Sequence, residues 1–234
     1  DKLSFYKQEV NELGILLNPP SINKSVEVFS VDSDKIIYAL GALKNVGIES
    51  MRNIISVRNT GGDFKDIFDF ANRVELRKIG KRSLEMLIYA GVFDEVSNNR
   101  NQLFQSIDIL VEYSNICFSE KNTGQNNLFG ESNNLLSYPE LKLIDDWNSS
   151  EKLKKEYEAI GFYLSAHPLD DYSKLFKSKN IVKFSELNEI LKSGPKLIKI
   201  SGSVLSKQER ISNKGKKFAF IQFSDPSGFF EVTA

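Results

Sequence analysis

The sequence predicts a mainly α-helical chain, built around two consecutive helical hairpins, that runs into the first strands of a small β-barrel. Three observations predict it. Apolar residues recur at helical spacing through most of the chain before Lys196. Two glycine-bearing turns, at Gly47 and Gly80, lie between such helices with basic residues beside them. From Lys196 onward the apolar period shortens to that of strands.

The whole chain sets bounds. With 234 residues and 41% hydrophobic content it can bury real cores and form one to three small domains. No apolar run approaches the roughly 20 residues that span a bilayer, and DKLSFYKQEV carries no signal-peptide pattern, so no membrane partner and a cytoplasmic location are expected. The missing initiator methionine suggests a piece of a longer chain. A single cysteine, Cys117, excludes an internal disulfide framework, and a single histidine, His167, leaves no zinc-ligand cluster.

Residues 1–14 predict a helix, with Leu3, Tyr6, Val10 and Leu13 on one side and Gly14 as its stop. Pro19-Pro20 forces extended backbone. Val26 to Val31 and Lys35 to Tyr38, around an Asp32-Ser33-Asp34 turn, predict a β-hairpin.

The first helical hairpin turns at Leu43-Lys44-Asn45-Val46-Gly47, where Asn45 and Gly47 tolerate left-handed backbone angles best. A helix over 48–58 follows. Its free N–H groups and the positive end of its dipole form a site for a phosphate. Ile48, Met51, Ile54 and Ile55 face a core in this register, leaving Lys44, Arg52 and Arg58 to reach solvent or phosphate. In the second hairpin Asp63 caps a helix over 64–73. Arg77-Lys78-Ile79-Gly80-Lys81-Arg82-Ser83 then crosses to a helix over 84–90 that Gly91 stops. Either turn alone is equally a plain connector between amphipathic helices. Between Gly41 and Gly91, however, nine basic residues stand against six acidic ones, a net of +3 in a chain of net charge +0, which points to phosphate.

A helix over 100–118 follows, with Leu103, Ile107, Leu110, Val111 and Ser114 as a packing stripe. From Ser119 to Glu158 five basic residues face eight acidic ones, a net of −3, and the first part is rich in Asn, Ser and Gly, as an exposed linker is. Inside it, Gln125-Asn126-Asn127-Leu128-Phe129 places two apolar side chains that need burial, either on the parent body or in a partner's pocket with the Gln amide fixing orientation. A helix from Ser150 ends near Gly161. His167 has no acidic or nucleophilic companion at motif spacing, and before Pro168 it reads as a structural turn residue rather than a catalyst. Two short helices, over 169–177 and 184–192, lead to Gly194-Pro195.

Strands are expected over 197–205, 218–223 and 229–232, with loops at Asn213–Lys216 and Asp225–Gly228. Such a meander begins an oligonucleotide-binding barrel, which needs five strands, so the barrel is read as incomplete. Seven basic residues against three acidic give this segment a net of +4. Exposed rings of Phe218 or Phe220 beside the basic loops suit single-stranded nucleic acid; the other reading turns these rings inward as barrel filling.

Asn18-Pro19-Pro20-Ser21-Ile22-Asn23, Tyr38-Ala39-Leu40-Gly41-Ala42-Leu43-Lys44-Asn45-Val46-Gly47, Gly61-Gly62-Asp63-Phe64, Leu84 through Asp94 and Gly161-Phe162-Tyr163-Leu164-Ser165-Ala166-His167-Pro168-Leu169 share a resemblance. Together they resemble the C-terminal portion of the bacterial replicative DNA polymerase III alpha-subunit family, over nearly the whole chain. The resemblance implies a multidomain, mainly α chain: 1–38 as the end of the fingers region with its β-hairpin, and 39–118 as a tandem helix-hairpin-helix DNA-binding domain. It makes 119–148 an exposed linker with a clamp-binding motif, 149–195 a helical connector, and 196–234 the N-terminal part of a truncated OB-fold.

By the same resemblance, Lys44, Asn45, Val46, Gly47, Arg52, Arg58, Lys78, Gly80, Lys81, Arg82 and Ser83 would hold duplex primer-template DNA by its backbone. Lys207, Arg210, Lys214, Lys216 and Phe218 would meet single-stranded template. Gln125, Leu128 and Phe129 match the family's motif for the sliding clamp, its beta subunit, and other replicase subunits are further expected partners. Asn45 stands where the family usually has glycine. The family's catalytic aspartates and their Mg2+ belong to a palm domain not found here, so the parent is expected to be a DNA-directed DNA polymerase and this chain to be inactive alone, without catalytic residue or cofactor. The rival readings are a DNA ligase or repair nuclease accessory region, which would need a nucleophilic lysine motif or carboxylate cluster, a non-enzymatic nucleic-acid-binding adaptor, and a purely structural domain.

Overall fold

The computed structural model describes residues 2–123, 138–192, 194–213 and 215–234. It divides into two compact units, Ile15–Phe162 and Asp1–Gly14 with Tyr163–Ala234. The chain begins with α1 (Lys2–Glu12), β1 (Leu16–Asn18), β2 (Ser30–Asp32) and β3 (Lys35–Ile37). The helices α2 (Ile48–Gly61), α3 (Ile67–Arg73), α4 (Leu76–Ile79), α5 (Lys81–Tyr89), α6 (Arg100–Gln105), α7 (Ile107–Thr123) and α8 (Ser149–Ile160) follow. After them come α9 (Ser173–Ser178), β4 (Ile181–Val182), α10 (Leu187–Leu191), β5 (Lys199–Ile200), β6 (Ser203–Ile211), β7 (Lys217–Asp225) and β8 (Gly228–Thr233).

In the Ile15–Phe162 unit the expected hairpin forms, β2 antiparallel to β3 with Ser33 at φ 58° in its turn. An unexpected third strand, β1, pairs with β3 in parallel, Leu16 opposite Lys35. The Pro19-Pro20 pair ends it, because proline has no N–H for a ladder. The core is made by the helices: Met51, Ile54, Phe64, Phe70, Leu76, Met86, Leu87 and Leu103 are fully buried. The Phe70 ring lies edge-on to Phe64 at 5.2 Å and to Phe93 at 5.0 Å.

Several boundaries differ from the sequence expectation, each for a local reason. The segment before the first turn is a single 3-10 turn, Leu40–Ala42, rather than a helix. Gly41 is required there, since a Cβ would stand 2.4 Å from the Glu27 carbonyl oxygen. The cap of α3 is Asp66 and not Asp63: its Oδ1 accepts from the N–H groups of Phe68 at 2.8 Å and Asp69 at 2.7 Å. Asp69 Oδ2 accepts in return from the N–H of Lys65, the residue before the cap, at 3.0 Å. Ile48 is exposed instead of facing the core. The expected single helix over 100–118 breaks at Ser106, whose N–H is shared between the Gln102 and Leu103 carbonyls at 3.1 Å.

Residues 138–148 have no regular structure yet are held on the helices. Asn99, Asn101 and Gln102 donate side-chain amides to the carbonyls of Ile144, Asp145 and Lys142 at 2.7, 2.8 and 2.9 Å. The Tyr138 ring stacks on Phe68 at 4.6 Å. Trp147 packs between Tyr89 and Phe104, with Lys155 Nζ 4.4 Å from the Tyr89 ring centre and 5.6 Å from each of the other two.

In the other unit β6, β7 and β8 form an antiparallel three-stranded sheet, with a bulge between Val204 and Ser206. The strand expected over 197–205 is instead two: β5 pairs in parallel with β4, and β6 starts at Ser203. Among the described residues no barrel closes, because a sheet of three strands leaves two free edges. Phe230 stacks between Phe184 at 5.0 Å and Phe223 at 5.4 Å on one sheet face. The apolar residues of α1, and Leu13 just after it, pack less than their spacing suggests, with Tyr6 54% and Leu13 74% exposed.

His167 is a buried turn residue. Its Nδ1 accepts from Leu169 N–H at 3.1 Å, so the neutral ring carries its proton on Nε2, 3.0 Å from Ser224 Oγ. Burial pushes the imidazole pKa below 6.5 with Lys7 adding to the effect, while Asp170 and Asp225 oppose it. A depressed folded pKa gives stability that is present above about 6.5 and lost as pH falls toward the folded value. The thermal midpoint is therefore expected to drop between about pH 7 and pH 5, and in His167→Gln the profile over that window should be flat.

Candidate nucleic-acid interface

The two turns meet. After the Leu40–Ala42 turn the chain passes through Asn45 at φ 58°, the left-handed angle expected of it, while Gly47 at φ −80° does not use its freedom and caps α2. Gly80, at φ 84°, turns the chain directly into α5, whose first residues are Lys81, Arg82 and Ser83. The helix thus starts three residues before the expected Leu84, because Gly80 alone makes the turn. Ser83 Oγ donates to the Asn45 carbonyl at 3.2 Å, and Lys44 N–H donates to the Ala159 carbonyl at the end of α8 at 2.8 Å. The first turn, the start of α5 and the end of α8 therefore lie side by side.

The basic side chains around them are exposed but engaged. Lys81 Nζ donates to both Asp108 carboxylate oxygens at 2.9 and 3.0 Å, and Arg82 reaches Glu85 and Glu158 at 3.0 Å each. These partners raise the pKa of both residues, so they stay cationic. Lys78 pairs with Glu75 at 2.6 Å and Arg52 with Glu49 at 2.7 Å. Lys44 Nζ lies 5.8 Å from the Tyr157 ring centre. Val46 is half-buried and Ser83 buried, so these two position the turns.

Arg58 corrects an expectation. Instead of reaching solvent or phosphate it is turned inward, 7% exposed, and donates to the carbonyls of Ile22 and Ser25 at 2.8 Å each. Burial lowers its pKa, with Asp63 opposing. It ties α2 to the segment after Pro19-Pro20 and is no part of a phosphate surface.

On the sheet, residues that were grouped by sequence separate. Arg210 stands directly across from Phe218 and Gln208 from Phe220, whereas Lys207, paired with Glu209 at 2.6 Å, alternates to the other face of β6. Phe218 and Phe220 are half-buried and edge-to-face at 5.3 Å, with the Arg210 guanidinium 5.6 Å from the Phe220 ring centre. Ser206, Gln208, Arg210, Phe220, Gln222 and Glu231 line an open groove of about 430 Å³. Gln208, Gln222 and Glu231 escaped the sequence reading; the two-residue alternation of Gln208 with Arg210 and of Gln222 with Phe220 was the signal for two of them, while Glu231 stands across from Gln222 on β8. Lys216 is exposed in the β6–β7 loop. Lys214, Gln125, Leu128 and Phe129 lie outside the described residues.

A family model described as a helix-hairpin-helix motif matches residues 14–103, the stretch that contains both turns. The chain is 38% identical over 232 residues to the DNA polymerase III subunit alpha of Caulobacter vibrioides, covering 99% of this chain and 20% of the relative. The chain is homologous to a segment of DNA polymerase III alpha subunits. The alpha subunit of Campylobacter jejuni is 35% identical over 240 residues, and that of Borreliella burgdorferi 35% over 240, again spanning 20% of each relative. The chain thus spans about a fifth of the length of the relatives it matches. Among its described residues no helix is long and apolar enough to cross a membrane.

Proposed function

We propose that this chain is the part of a bacterial replicative DNA polymerase that holds the product duplex by its sugar-phosphate backbone during processive synthesis in the cytoplasm. The observation that carries the reading is the junction of the two turns through the Ser83 hydroxyl and the Asn45 carbonyl, 3.2 Å apart. It brings two free helix starts, those of α2 and α5, and the side chains of Lys44, Lys81 and Arg82 to one place, where adjacent phosphates of one strand are engaged without base contacts. Lys78 and Arg52 extend the surface on either side.

The sheet fits the opening of an OB-fold whose groove takes single-stranded template. A base stacks on Phe220 or Phe218, and Arg210 and the Gln208 and Gln222 amides meet its edge and backbone. Lys207, Lys214 and Lys216 add sequence-independent attraction. Gln125, Leu128 and Phe129 dock on the sliding clamp. The described residues on either side of that stretch both contact one helix, α3, through Lys121 on Asn72 and Tyr138 on Phe68. The clamp tether makes rebinding intramolecular at roughly millimolar effective concentration.

Chemistry belongs to the rest of the polymerase. Among the described residues no group of three acidic, histidine or cysteine side chains could hold a metal ion, and no catalytic step is assigned to them.

The test is binding of fluorescent primer-template DNA across a salt series. Lys44→Glu with Lys81→Glu is expected to cost about tenfold or more in affinity at low salt and to flatten the salt slope by up to about 1.8, two phosphate contacts at 0.9 each. Unchanged affinity and slope would remove the duplex grip from these turns.

A further inference from the structure

The cations of the second turn are already held by carboxylates from distant parts of the chain. Asp108, near the start of α7, meets Lys81 with both oxygens, and its side chain is 81% exposed. Glu158, near the end of α8, meets Arg82 at 3.0 Å and is 44% exposed, while Glu85 on the same helix as Arg82 is the more enclosed partner at 17%. Both carboxylates are exposed, and exposed pairs of this kind contribute little to folding. Their effect falls instead on whatever anion approaches α5.

We propose that Asp108 and Glu158 are positioning and attenuating residues for the DNA backbone. They hold Lys81 and Arg82 extended at the start of α5, and they limit how tightly that site grips a phosphate. The inference rests on the proposed duplex-holding function. A phosphate arriving at Lys81 or Arg82 must share the cation with a carboxylate that stays within about 5 Å, and in water like charges at that distance cost about fourfold in affinity each. The physical benefit is mobility. A non-specific grip on a duplex that must advance base pair by base pair has to exchange phosphates quickly, and a carboxylate standing ready at each cation supplies the substitute partner as a phosphate leaves. Both pairs bridge segments far apart in sequence, Lys81 with Asp108 and Arg82 with Glu158, so the arrangement exists only in the folded chain.

The experiment compares four forms of the chain on the same fluorescent duplex across a salt series, with thermal midpoints measured alongside: wild type, Asp108→Asn with Glu158→Gln, Lys44→Glu with Lys81→Glu, and all four substitutions together. The amides keep hydrogen-bond acceptors while removing the charge. The expected result is that the Asn/Gln form binds about tenfold more tightly at low salt, with a steeper salt slope and an unchanged midpoint, and that the gain shrinks when Lys81 is also reversed. Equal affinity and slope in wild type and the Asn/Gln form, while Lys44→Glu with Lys81→Glu still weakens binding, overturns the attenuating role and leaves the duplex grip standing. Weaker binding by the Asn/Gln form with a lowered midpoint also overturns it, making the carboxylates scaffold. If the Lys-to-Glu form binds as wild type does, the duplex-holding function itself falls and this inference with it.

Discussion

Replacing Arg58 by alanine is expected to lower the stability of the Ile15–Phe162 unit by about 3 kcal/mol while leaving the salt slope of DNA binding unchanged. The guanidinium is buried and satisfies the Ile22 and Ser25 carbonyls at 2.8 Å each. Alanine leaves both carbonyls without that donor, at roughly 1–3 kcal/mol apiece, and opens a cavity beside Met51 and Ile54 on the same helix stripe. Lysine would not rescue it fully, because one ammonium on a flexible stem lacks the planar guanidinium fork. Urea denaturation of the variant checks the stability, and the salt series checks the slope. A flattened slope with normal stability would return Arg58 to the phosphate surface.

The second large effect is expected at Asp225, in the unit that contains the sheet. Its Oδ1 accepts from Ser227 N–H at 2.8 Å, Ser227 Oγ at 2.6 Å and Gly228 N–H at 3.0 Å. Its Oδ2 accepts from Phe184 N–H at 2.6 Å. One buried carboxylate thus forms the β7–β8 turn and fastens the Phe184 segment, and with it the Phe184–Phe230 stack, to the sheet. Asp225→Ala is expected to cost about 3–4 kcal/mol, since hydrogen bonds to a charged acceptor are worth about 1.5–3 kcal/mol each and some of the freed groups find water. Asp225→Asn, which keeps one acceptor oxygen, should cost about half as much. Equal losses in the two variants would mean that packing of Phe184, and not the hydrogen bonds, is what the side chain secures.

What the sequence made legible was local. Met51, Ile54 and Ile55 announced the buried stripe of α2, Gly161 the left-handed end of α8 at φ 98°, and the run from Asp225 to Gly228 the last hairpin turn. The stripe also carried a signal that charge obscured. Arg58 follows Met51 by seven residues and Ile54 by four, so helical geometry alone places it inward. Capping was ambiguous because Asp63 and Asp66 are the same residue type and each has an aspartate three residues on, Asp66 and Asp69. The break at Ser106 has no glycine or proline to mark it. The candidate interface was half legible. Its cations stand next to glycine turns, but the carboxylates that meet them come from α7 and α8, and no local pattern reports a pairing across such separations. The residues of the sheet groove were hidden by a grouping that ignored alternation, which sends Lys207 and Arg210 to opposite faces.

The chain has one tryptophan, and it sits in the Tyr89–Phe104–Lys155 cluster of the Ile15–Phe162 unit. Indole emission excited at long wavelength therefore comes from that unit alone and is dark to the one carrying the sheet, so a single optical channel assigns an unfolding transition to its half of the molecule. A fluorescence melt would register Arg58→Ala directly, while the loss at Asp225 would emerge only in a signal from the whole backbone, such as far-ultraviolet dichroism.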